Sequence, residues 1–113
     1  MADPRGRLES VRHDTLRRLA RLTDDFDGVV AASRDSNADD EHDPEGATIA
    51  FERSQLAALV LQAQGHLAEI EAAIDRLDAG VYGVCENCRQ SIATDRLDAR
   101  PVARTCIECE SSR

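Results

Sequence analysis

The sequence predicts an all-α fold. Two long helices fold back on each other as an antiparallel coiled-coil hairpin over residues 1–79, and a small cysteine-bearing module follows over 80–113. Three observations carry this. Two heptad seams of apolar residues stand in succession, a short acidic stretch separates them, and two Cys-x-x-Cys pairs close the chain. At 113 residues the length suits one small domain. Aromatics are limited to Phe26, Phe51 and Tyr82, and tryptophan is absent. Aromatic side chains carry much of the apolar area of a large core, so helix pairing and a covalent or metal staple are expected in its place.

The first seam is Leu8, Val11, Thr15, Leu19, Leu22, Phe26 and Val29, in steps of 3, 4, 4, 3, 4 and 3. The doubled four is a local slip in the heptad, and Leu16 and Val30 widen the stripe. Asp3-Pro4 reads as N-cap and first helical residue. A helix over about 4–34 would be roughly 45 Å long. The second seam is Leu56, Val60, Ala63, Leu67, Ile70, Ile74 and Leu77, in steps of 4, 3, 4, 3, 4 and 3. Asp43-Pro44-Glu45 repeats the start signal, and Gly80 is placed to end the helix after Asp78-Ala79. That helix, over about 44–79, would be roughly 50 Å long. Gly65 falls on its outer face, at a cost of about 1 kcal/mol against alanine. Neither helix can bury its stripe alone. Pairing within one chain costs less entropy than finding a second chain, so a monomer is expected and an intermolecular bundle is the alternative.

The connection between the helices, about residues 33–46, holds Asp35, Asp39, Asp40, Glu41, Asp43 and Glu45 against one basic residue, Arg34. Asp43 is explained as an N-cap and Glu45 as an acid in the first helical turn. Asp39, Asp40 and Glu41 have no such local role. An EF-hand is excluded, because its sixth and twelfth positions would be Pro44 and Ala50 where glycine and glutamate are required.

Cys85-x2-Cys88 and Cys106-x2-Cys109 have the spacing of a four-cysteine zinc site. The segment between the pairs has too few apolar residues to fold unaided. Four thiolates leave no open coordination position, so the expected zinc is structural, and with them it carries a net charge of about −2. Redox dithiols are the competing reading, and no βαβ pattern surrounds the pairs. From Gly80 to Arg113 five arginines (Arg89, Arg96, Arg100, Arg104, Arg113) are matched by five acids (Glu86, Asp95, Asp98, Glu108, Glu110). With a net charge of −8 for the chain and Tyr82 the one aromatic in the module, direct nucleic-acid binding is not expected. His13, His42 and His66 lack ligand spacing with one another, and no nucleophile–base pair or phosphate loop is visible, so an enzyme is not expected. The longest uncharged run, residues 54–68, is too short and too polar to span a bilayer, and no export signal opens the chain. The expected location is cytoplasmic, where paired cysteines point to metal before disulfide.

The stretch LDAGVYGVCENCRQSIATDRLDARPVARTCIECE resembles the signature zinc finger of the TraR/DksA family. Gly80, Tyr82, Gly83, Cys85, Cys88, Ile92, Arg96, Leu97, Ala99, Pro101, Cys106 and Cys109 carry the match, and the hairpin before it resembles that of the longer, DksA-like members. The resemblance implies a transcription regulator that binds RNA polymerase, inserting the coiled-coil tip into the secondary channel without touching DNA. The family's tip motif, Asp-x-x-Asp-x-Ala, is met by Asp40 and Asp43, with Asp39 and Glu41 beside them; Glu45 stands at the alanine position. Arg89 stands where the family has glycine, a position at which a left-handed backbone would strain arginine. Contacts to the alarmone ppGpp made through a C-terminal helix have no counterpart residues here, so no full ppGpp response is expected. A zinc-stapled structural or redox-responsive adaptor, with the hairpin pairing to some other protein, is the second functional expectation.

Overall fold

The computed structural model describes residues 3–35 and 44–112, with the backbone alone at 35, 44 and 45. Four helices follow in order: α1 (Pro4–Asp35), α2 (Pro44–Asp78), α3 (Thr94–Ala99) and α4 (Ile107–Ser111). A bridge between Val84 and Ser91 adds one antiparallel backbone pairing. The chain divides into two compact units. One, the finger unit, comprises Met1–Asp14 and Leu67–Arg113; the other, the arm unit, comprises Thr15–His66. Both long helices contribute to each.

The predicted seams are the buried faces. In α1 Leu8 and Thr15 are buried and Val11, Leu19, Leu22, Phe26 and Val29 half-buried; in α2 Ala63 and Ile70 are buried and Leu56, Val60, Leu67, Ile74 and Leu77 half-buried. Within the arm unit Thr23 and Phe26 of α1 share an apolar groove with Ala57, Val60 and Leu61 of α2. Within the finger unit Arg5, at the start of α1, pairs with Asp78, at the end of α2. Two long helices therefore pack antiparallel, as the seams require. Leu16, expected to widen the stripe, lies at its exposed edge.

The caps follow local chemistry. The Asp3 carbonyl accepts the Arg7 amide at 3.0 Å, the first bond of α1. At the other end of the pair the Gly80 amide donates to Leu77 O (3.1 Å) and the Val81 amide to Arg76 O (2.9 Å). These two bonds form a Schellman motif, and Gly80 supplies its positive φ of 77°. Helix α1 runs to Asp35 and α2 starts at Pro44, so both ends of the predicted connection are helical. Proline's fixed φ favours that first position. Asp39, Asp40, Glu41 and Asp43, the expected tip residues, lie outside the described residues.

Candidate metal centre

The finger builds two turns that bring their thiols together. In the first, Gly83 takes φ 82° beside the Leu97 side chain, which a Cβ at Gly83 would meet at 3.4 Å. The Ile92 amide then donates to Gly83 O (2.7 Å) and the Cys85 amide to Gln90 O (2.8 Å), closing a short hairpin around Cys85–Cys88. The Arg89 amide returns to Cys85 O at 2.9 Å, and this bond holds Arg89 at φ 66°. Arginine thus sits in the left-handed region anticipated from the family's glycine, at a cost of about 1–2 kcal/mol. In the second turn Cys106 stands at the N-cap of α4 and Cys109 within it, with the Glu110 amide on Cys106 O at 3.0 Å.

The two turns are joined by the Glu86 amide donating to Arg104 O (2.9 Å) and by a 3.5 Å ion pair between their side chains. Arg96 Nε donates to Thr105 O (2.9 Å), the buried Thr105 hydroxyl to Glu110 (2.9 Å), and Tyr82 OH to Pro101 O (2.8 Å). Ile92, Ala103 and Cys85 are buried among them. Two arginines tie this finger to the long helices within its unit. Arg7 of α1 reaches Leu97 O (3.3 Å) and Asp98 (2.9 Å), and Arg76 of α2 reaches Val102 O (3.4 Å). Burial, followed by the nearby charge of Arg104, pushes the Arg76 pKa down, and its Nη1 is buried without a protein partner.

The four cysteine sulfurs all lie within 4.8 Å of one another, and none is in a disulfide. Cys88 Sγ and Cys106 Sγ are 3.8 Å apart. A tetrahedral ion with metal–sulfur bonds of ~2.3 Å places its ligands about 3.8 Å apart, so this donor set fits zinc in size and in chemistry. Backbone amide hydrogen bonds from Cys88 and then Cys106 lower the Cys85 thiol to about 6. At Cys109 the Asn87 amide pulls the pKa down, but Cys106, burial and the other two thiols together outweigh it and push it up to about 12. At Cys88 the Gln90 amide pulls down, but burial with the Cys85 and Cys106 thiols prevails and the pKa is raised. Crowded thiols resist a second negative charge until a cation arrives to share it. Asn87 Nδ2 donates to Cys109 Sγ at 3.3 Å, a contact the cysteine spacing does not reveal.

Residues 80–113 match the prokaryotic dksA/traR C4-type zinc finger. The finger is thus one of the DksA/TraR type. The fold extends the likeness beyond the finger. The structure of the transcription factor DksA2 from Pseudomonas aeruginosa matches with a TM-score of 0.59 and 27% identity, over 95% of this chain and 82% of that one. The uncharacterized protein YteA of Bacillus subtilis is 34% identical over 95% of this chain and 46% of its own length. The RNA polymerase-binding transcription factor DksA of Haemophilus influenzae is 42% identical over 38% of this chain and 30% of its own. The chain thus spans less than half the length of these two relatives. Among the described residues no helix is long and apolar enough to cross a membrane.

Proposed function

We propose that this protein is a DksA/TraR member that regulates transcription by binding RNA polymerase, with its acidic tip inserted into the secondary channel. The observation that carries the reading is the joining of a DksA/TraR finger to a hairpin that aligns with DksA2 over nearly the whole chain. A two-helix arm is slender, at about 10–12 Å per helix, and salt screening over about 10 Å confines the influence of its tip charges to their surroundings. Asp40 and Asp43, with Asp39 and Glu41, are the residues assigned to that contact. Cys85, Cys88, Cys106 and Cys109 hold one structural zinc ion, which fixes the two turns and supplies no reactive position. The protein acts in the cytoplasm and does not touch DNA directly.

Binding to core RNA polymerase tests this, comparing wild type with Asp40→Asn and with a variant neutralised at Asp39, Asp40 and Glu41, all matched for zinc content and helicity. Saturable binding displaced by a secondary-channel occupant is the expected result, with transcriptional effect lost in the tip variants. Absence of binding at micromolar concentration would return the protein to the adaptor reading, and the search would move to partners of the helical faces.

A further inference from the structure

Helix α2 carries a second heptad stripe away from its seam. Ala47, Phe51, Ser54, Ala58, Leu61 and Gly65 recur in steps of 4, 3, 4, 3 and 4, and all six are exposed. Ala58 is two residues from Leu56 and two from Val60, so at 3.6 residues per turn the centre of the stripe lies opposite the seam, with Leu61 at its edge, where it also borders the groove shared with Thr23 and Phe26 of α1. Phe51 and Leu61 are 63% and 69% exposed. No charged residue occurs from Ser54 to Ala68, in a chain whose net charge is −8. Gly65 is the informative member. An interior helical glycine costs about 1 kcal/mol against alanine, yet a Cβ there would meet nothing within 4 Å. Packing within the single chain gives no reason for it.

We propose that this face docks a second copy of the chain, the two α2 helices lying antiparallel across a two-fold axis at Ala58. Phe51 and Gly65 each stand seven residues from Ala58, on opposite sides. The axis therefore sets Phe51 of each copy against Gly65 of the other, and Leu61 beside Ser54. A single symmetry operation pairs every large side chain with a small one, which is the self-complementarity an isologous contact needs. The lack of charge matters as much, since two acidic chains otherwise oppose like charges. Gly28 of α1 also has open space around it, but the exposed Asp24, Asp25 and Asp27 flank it, so a self-contact there would be repulsive. The stripe is about 27 Å long, which places the dimer in the weak, transient class. The inference does not depend on the polymerase reading.

Sedimentation equilibrium of the zinc-loaded full chain, from about 10 μM to about 1 mM, tests it across the range of a weak contact. Wild type should pass from monomer to dimer. Gly65→Phe sets two large side chains against each other and should weaken the dimer by about tenfold or more, a change of about 1.4 kcal/mol. Phe51→Ala combined with Gly65→Phe exchanges the large and small positions and should restore most of the affinity. Gly28→Phe should leave association unchanged. Circular dichroism establishes that each variant remains helical. A monomer at every concentration overturns the proposal. So does a dimer that Gly65→Phe leaves intact, one that Gly28→Phe weakens equally, or a double variant that fails to recover.

Discussion

The finger unit and the arm unit are held by different kinds of force. The finger unit is specified by directed contacts: four converging thiols, the Arg7 and Arg76 ties, the Glu86–Arg104 link and backbone bonds closing each turn. Its apolar core is small, and several of its buried positions are alanine, threonine or cysteine. The arm unit is specified by periodicity, through half-buried Leu19, Leu22, Phe26, Leu56 and Val60. Directed contacts fail as a set when one centre is lost. A seam loses stability in proportion to the area removed from it. The two halves should therefore respond differently to the same insult.

Metal removal should separate them most widely. Apparent zinc binding energies in small fingers are on the order of 10–16 kcal/mol, so chelation or Cys85→Ser should abolish amide protection across Tyr82–Cys109 while Leu56–Ala63 stays protected in hydrogen exchange. Equal loss in both segments would erase the distinction. The same centre predicts a pH response. Cys88 and Cys109 hold their protons in the metal-free site and must release them as zinc binds. Affinity should thus fall by at least about two decades per pH unit on acidification, steepening below the Cys85 value of about 6. Competition with a chromophoric chelator between pH 6 and 8 measures the slope, and a pH-independent affinity would contradict the four-thiolate assignment.

A core truncation comes next. Ile70→Ala, at a fully buried position, should cost about 2–5 kcal/mol, and Leu61→Ala, on the exposed face, within about 0.5 kcal/mol in the monomer. Urea denaturation of dilute protein compares them. Arg89→Gly should stabilise the finger by about 1 kcal/mol through relief of the left-handed backbone, seen as a higher melting temperature of the zinc form. A small effect is also expected of Arg7→Ala. Its partner Asp98 is half exposed, so the pair is worth about 0.5–1 kcal/mol. A loss of several kcal/mol would mean that the tie carries more of the finger unit than its exposure suggests.

The sequence made different parts of each unit legible. Heptad spacing located both seams, Gly80 the end of α2, and the cysteine spacing the metal cluster, because each is a signal confined to a few residues. Arg89 was legible as a strained position through the family's glycine. Contacts that join distant segments were not. Arg7 meets Leu97 and Asp98 some ninety residues away, and no local pattern distinguishes it from the other arginines. Asn87 on Cys109, the burial of Ala73 and Thr105, and the unpartnered Arg76 Nη1 likewise arise only once the turns are folded. The acids at 39–41 and 43 rest on the resemblance alone.

The slip in the first seam falls at Thr15, the residue where the arm unit begins in α1. Beyond that point the arm is a graduated rod. Seven residues of helix make a division of about 10 Å, and removing one division from each helix between Thr15 and His66 returns every seam residue to an equivalent neighbour. The ties of Arg7 and Arg76, and the thiols they help to place, lie outside the removed stretch. The length of the arm unit is thus adjustable in whole heptads, which selection or design can reset without altering the contacts inside the finger unit.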